Sequence, residues 1–209
     1  MTEFSKDIYT EPRFDPDTLA NLGPLRGMAG VWEGTRGLDI KPKADGARKQ
    51  AFVERFELQP IDPQTNGPQL FYGLRYHQHA RKPGEAKTYH DQIGYFLWEP
   101  ATGSIIQTVA IPRGQVAMAV GQAAADAASF ELVATKGHAS FGICSNPFIA
   151  HAFDTLEYRI KVTINDDGTW SYDEDVVMMI RGQQEPFHHK DRNTLHRVGE
   201  PLPNPAVRG

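Results

Sequence analysis

The chain has 209 residues, 40% of them hydrophobic and 23% charged, values that suit a folded domain with one substantial core. Its net charge is −4 and its basic residues are scattered, so neither nucleic acid nor an anionic membrane surface is expected as a partner. The longest apolar runs, "QVAMAVG" and "DVVMMI", are too short to span a bilayer, and a single cysteine, Cys144, leaves no internal disulfide framework.

Residues 1–24 are polar and broken by Pro12, Pro16 and Pro24, so they predict an extended arm with one short helix near residues 17–22. The arm has no basic segment followed by an apolar run, hence no secretory signal, and with the lone cysteine this points to the cytoplasm. Such an arm would cover a barrel end or the partner subunit of a homodimer. The first strand, "GVWEGTRGLDI", places Trp32 where a large ring can plug a barrel, with Gly30 and Gly34 permitting close backbone approach.

Further strand-like stretches follow: "AFVERFELQPI", "QLFYGLRYHQH", "YHDQIGYFLWEP", "GSIIQTVAI", "GQVAMAVGQ" and "SFELVAT". His77 and His79 are two apart and share a strand face, half of a metal site, but Glu85 stands too far along for a cupin-like pattern. His90 opens an apolar strand, where it could orient a ligand or bond Asp91. Arg113 sits in the turn "IPRG", as a solvated arginine or as a hand for an anion. Cys144, in the apolar "FGICSNPF", is expected to be buried and inert.

A short helix is predicted in "SNPFIAHAFDT", capped by Ser145 or Asn146 with Pro147 in its first turn. In "TLEYRIKVTI" alternation puts Leu156, Tyr158, Ile160, Val162 and Ile164 on one face. The turn "NDDG" joins it to "TWSYDEDVVMMI" as a hairpin. The last strand lies in "EPFHHKDRNTLHRV", and the proline-rich residues 199–209 read as a loose tail. About ten strands with almost no helix predict an all-β, ten-stranded antiparallel up-and-down barrel over residues 25–198, lipocalin-like or fatty-acid-binding-protein-like; a two-sheet sandwich is the alternative.

The final segment holds His188, His189 and His196. Neighbouring residues on a strand face opposite ways, so His188 and His189 cannot both line one cavity. No zinc pattern closes around them, no nucleophile elbow exists, and a non-haem metal at His77, His79 and His90 stays open. Asp191 and Asn193 could support a ligating imidazole or form a bend.

With Gly30-x-Trp32-x-Gly34, the "HDQIGYFLWEP" segment and a histidine-bearing last strand in this order, the chain resembles the nitrobindin family. These are fatty-acid-binding-protein-like barrels that hold haem b, including the haem domain of some THAP proteins. The likeness spans roughly Leu25 to Val198. In the family's GxWxGxG motif the third glycine falls at Arg36, with Gly37 one later; of its Tyr-Pro-Thr only Pro42 has a counterpart.

The resemblance implies haem b in the barrel, His90 on the distal side of the pocket, and an axial histidine on the last strand. Ungapped counting puts Lys190 at the axial position. A one-residue bulge would bring in His189; parity with position 190 would bring in His188. The candidate haem contacts are therefore His189, His188, His90, Trp32, Gly30 and Gly34, with His189 as iron ligand and His90 as the group that acts on the bound anion. The implied activity is reaction with nitric oxide and isomerisation of peroxynitrite to nitrate; the alternative is a module binding a non-haem apolar or aromatic small ligand.

Overall fold

A computed structural model describes residues 5–208; residues 1–4 of the expected arm and residue 209 of the tail lie outside the described residues. Twelve strands run in chain order among them: β1 (Gly30–Lys43), β2 (Gly46–Pro60), β3 (Gln64–Asn66), β4 (Gln69–Arg81), β5 (Thr88–Glu99), β6 (Ser104–Ile111), β7 (Gln115–Gln122), β8 (Ser129–Thr135), β9 (Ile143–Ser145), β10 (Phe153–Ile164), β11 (Trp170–Ile180) and β12 (Phe187–Gly199). The order β2-β1-β12-β11-β10-β8-β7-β6-β5-β4 is closed by pairing of β2 with β4, which makes a ten-stranded antiparallel barrel. The short β3 and β9 sit beside β4 and β7. Closure leaves the ten barrel strands without a free edge, so the sandwich alternative falls away.

Two short α-helices accompany the strands among the described residues. Helix α1 (Thr18–Asn21) is capped by the Asp17 carboxylate, which accepts from the Ala20 amide. Helix α2 (Pro147–Ala152) is capped by the Asn146 carbonyl, which accepts from the Phe148 and Ile149 amides. No helix among the described residues is long and apolar enough to cross a membrane.

Three layers fill the barrel. The first is apolar: Leu22 from the end of the arm and Leu25 and Met28 just after it meet Trp32, Phe56, Leu58, Leu74, Phe96, Ile105, Trp170 and Leu195 in one buried cluster. Trp32 donates its indole N–H to the Met28 carbonyl (2.7 Å) and meets Trp170 edge-on at 6.3 Å. The second layer is polar and fully bonded. Glu54 accepts from Gln78 (2.8 Å), Tyr172 (2.9 Å) and Asn193 (2.8 Å), while Tyr158 donates to Gln107 (2.9 Å) and Gln92 to Tyr76 (2.8 Å). The third layer is the open mouth.

Several expectations change. Residues 199–208 do not hang loose, because Asn204, fully buried, donates to the Pro16 carbonyl and to Asp62, and accepts from the Thr18 amide. The tail thereby ties the arm across the apolar end. Cys144 is exposed, since the three-residue β9 turns only its flanking Ile143 and Ser145 partly inward. In β10 a register shift between Thr155 and Glu157 makes Leu156 the extra residue: Thr155 is buried, Leu156 only half-buried, and Tyr158, Ile160 and Val162 resume the inward alternation.

Candidate functional site at the barrel mouth

The mouth is built from the upper ends of β1, β5, β6, β7, β10, β11 and β12, with α2 at its rim. A cavity of about 520 Å³ opens there, within the range of cofactor pockets. Its walls are largely apolar, with Val109, Ile111, Ala117, Ile143, Val176 and Met178 inside, and Phe148 and Phe153 standing exposed at the edge. A smaller recess of about 220 Å³ adjoins it and shares Lys41, His90, Arg113, Glu174, His189 and Asp191. A larger groove of about 640 Å³ lies beside it, on the far side of Val109, Val116 and Ala117, over Arg75, His77, Ile93 and Tyr95. It runs along outward-facing side chains, so the convergent polar groups of the mouth mark the better candidate.

Strand alternation decides which side chains reach the mouth. On β12 the odd positions face inward: Asn193 and Leu195 are buried and His189 and Asp191 half-buried, whereas His188, Lys190 and Arg192 are exposed. Pairing with β11 runs unbroken from Phe187 to Leu195, so no bulge is needed to bring His189 in. Lys190, at the expected axial position, faces outward, and parity with it carries His188 outward too. His188 bonds Asp175 outside the barrel at 2.8 Å, and Lys190 approaches the same carboxylate at 3.6 Å. His188 is thereby removed from the cavity.

The irregularity lies in β1 instead. Its pairing with β2 shifts between Gly34 and Gly37, leaving Thr35 and Arg36 both exposed. Trp32 and Gly34 face in before the shift, and Gly37, Asp39 and Lys41 face in or toward the mouth after it. The glycine that comes one residue late in the GxWxGxG motif is the mark of this bulge.

Trp32, Gly30 and Gly34 lie in or beside the lower layers and do not line the mouth cavity. Gly30 has φ +127°, and a Cβ there would meet an Arg197 nitrogen and the Gly199 carbonyl at 2.7 Å. A Cβ on Gly34 would stand 2.3 Å from the Asn193 amide that serves Glu54. These three residues therefore build the barrel. His77 and His79 face outward on β4, where His77 contacts Asp91 at 3.3 Å, so they are not brought together with His90. Arg113 is exposed in its turn, yet lines the cavity and donates to the Tyr89 carbonyl at 3.3 Å.

The two inward histidines differ in chemistry. His90 is half-buried; burial, reinforced by the Arg113 charge, pushes its pKa down to about 4, so its imidazole is neutral at ordinary pH. His189 sits among acids: its Nε2 lies 2.9 Å from Asp39 Oδ1 and 3.8 Å from Asp191 Oδ2. Burial opposes its charge, but the Asp39 bond and the Asp191 charge raise its pKa overall. Lys41 reaches the other Asp39 oxygen at 3.5 Å. Burial, and then repulsion from neighbouring carboxylates, pushes Glu174 upward; burial does the same to Asp191. Asp39, Glu54 and Glu174 had no sequence signal, since the β1 bulge hides the parity of Asp39 and nothing marks the other two among ordinary strand acids. Asp191, expected as a support for a ligating imidazole or as part of a bend, comes to the mouth on the same face as His189.

A haem needs apolar walls for its ring, a neutral imidazole for its iron and cations near its carboxylates. The mouth offers the walls named above, His90 as the neutral imidazole, and Lys41 and Arg113 on the lining. These residues fit the group.

Among proteins of curated function, none matches the chain. The crystal structure of Rv2717c from M. tuberculosis is similar in fold, with a TM-score of 0.58 and 23% sequence identity over 86% of this chain and 96% of that one. A family described as "THAP4-like, heme-binding beta-barrel domain" matches residues 21–197, which take in the end of the arm, the barrel strands up to the last two residues of β12, and both inward histidines. The chain belongs to this family of haem-binding β-barrel domains.

Proposed function

We propose that the mouth cavity holds haem b, with His90 as the imidazole that meets the iron, and that the loaded barrel isomerises peroxynitrite to nitrate. The observation that carries this reading is a neutral imidazole set in an apolar-walled cavity. His189 is less suited to that role, because its Nε2 is already engaged by Asp39 and lies 3.8 Å from Asp191. When bound, a ferric haem supplies a Lewis-acidic centre for a peroxynitrite oxygen. The chain's own share is separate. Arg113 and Lys41 lend positive charge for the anion and for the haem carboxylates, Val109, Ile111, Val176 and Met178 keep water from the ring, and Gln92 stands beside His90 to orient it. The single exposed thiol of Cys144 suits a reducing, cytoplasmic setting.

Hemin titration tests the reading. The wild-type protein is expected to take one equivalent with a Soret band, and His90→Ala to lose most of its affinity while His188→Ala keeps it. No Soret band, or an unchanged His90→Ala, refutes the assignment. The second reading, a non-haem apolar or aromatic ligand, is favoured by the exposed rings of Phe148 and Phe153 at the cavity edge.

A further inference from the structure

The fold gathers at the mouth the basic residues that the sequence scatters. Five segments form the rim, each taken with the three residues that end one barrel strand and begin the next: 41–48, 79–90, 109–117, 133–155 and 178–189. They hold nine lysines and arginines against four aspartates and glutamates, a net charge of +5 with histidine neutral. The whole chain is −4, so everything outside the rim sums to −9. Lys43, Arg81, Lys87 and Arg113 are exposed on three different turns, and none pairs with a carboxylate among the described residues. Asp39, Glu174 and Asp191 lie deeper, turned into the barrel, where Asp39 is engaged by His189 and Lys41.

The same rim leaves apolar rings in water. Helix α2 buries none of its six residues; Phe148 on it is 69% exposed, and Phe153 just after it 40%. Both stand at the opening of the apolar-walled cavity, with Ile149 beside them. Exposed rings among free cations suit a bilayer surface, where the rings enter the headgroup boundary and lysine and arginine meet anionic lipids. An acidic protein would also attract the cations. They stand, however, on separate turns around one opening, spread to meet a plane rather than clustered to read a motif.

We propose that the barrel docks mouth-first on an anionic lipid surface, with Phe148 and Phe153 in the headgroup boundary and the rim cations on the lipid charges. This reverses the expectation drawn from net charge, because −4 is the sum of a positive rim and a strongly negative remainder. The remainder is repelled by the same surface, which fixes the orientation of approach. Docked in this way, the cavity opens onto the bilayer, and an apolar ligand passes between the two without crossing water. The surface does not depend on what the cavity holds, so it stands or falls apart from the haem reading.

Vesicle co-sedimentation tests it. The protein is expected to sediment with phosphatidylcholine vesicles that contain about one third phosphatidylserine, and to stay in solution with phosphatidylcholine alone. Rising salt should release it. Lys43→Glu combined with Lys87→Glu should weaken binding about tenfold or more, and Phe148→Ala about threefold or more. Arg26→Glu combined with Lys161→Glu makes the same charge change at the closed end and on the wall, and should leave binding near wild type. Far-UV circular dichroism checks that the variants fold. If one does not, a polarity-sensitive dye on Cys144, the single cysteine, exposed on β9 just before α2, decides on the wild-type chain. Its emission is expected to shift to the blue with anionic vesicles only. The proposal is overturned if anionic vesicles do not bind, if phosphatidylcholine alone binds as well, or if the dye does not shift. It is equally overturned if the folded Lys43 and Lys87 variant matches wild type or the Arg26 and Lys161 variant loses as much. Binding to polyglutamate in place of vesicles would assign the surface to an acidic protein and overturn it too.

Discussion

Glu54 carries a cost that can be read as a pH dependence. It is 4% exposed in the middle of the barrel and accepts from Gln78, Tyr172 and Asn193. Those donors favour its charged form, but burial outweighs them and raises its pKa from 4.5 to about 7. The folded state therefore holds this proton to higher pH than the unfolded chain does. The stability it contributes is fully present below about 4.5 and is lost as pH rises through about 7. At about 1.4 kcal/mol for each pH unit, the loss amounts to roughly 3 kcal/mol. Glu54→Gln removes the titration while keeping the shape of the protonated acid. Its hydrogen bonds set a constant offset against wild type, which a single pH cannot separate from the charge. Urea unfolding at about pH 5 and about pH 8.5 separates them: the difference between variant and wild type is expected to move by about 2–3 kcal/mol in favour of glutamine. A difference that stays constant would mean that Glu54 is ionised throughout and that the burial argument is wrong.

Other substitutions test the layers independently. Trp32→Ala empties a fully buried position and removes the indole bond to Met28, so thermal or urea unfolding should register a loss of about 3–5 kcal/mol. Gly34→Ala drives a methyl into Asn193 and should cost about 1–3 kcal/mol, with a larger pH-dependent loss at Glu54, because displacing Asn193 removes a donor that favours the charged form. Because burial holds His90 neutral down to about pH 4, hemin affinity should stay level as pH falls through the ordinary histidine range and drop only near that value. A fall centred near 6.5 would mean that His90 is solvated or that another histidine holds the iron.

Much of the architecture was legible because alternation, turn residues and helix caps act locally. The helix at Pro147–Ala152 with its Asn146 cap follows from three adjacent residues, and the "NDDG" hairpin from a glycine at φ +80°. The plugging role of Trp32 could be read from a large ring between small residues. What stayed hidden depends on register. A bulge between Gly34 and Gly37 brings Asp39 inward, though counting in twos from Trp32 would place it outside. Counting from Leu195 correctly separates His189 from His188, but an expected ligand at Lys190 argues for the opposite face. The acids at the mouth and in the middle layer are further apart in sequence than any local pattern reaches: Asp39 and His189 are 150 residues apart, and Glu54 and Asn193 are 139 apart.

The most direct test of the central claim is native mass spectrometry of freshly purified protein with no hemin added. Wild-type protein is expected to show a mass increased by one haem b, and His90→Ala an apo mass. A wild-type protein carrying a different small molecule in place of haem, or a His90→Ala variant that keeps its haem, would contradict it.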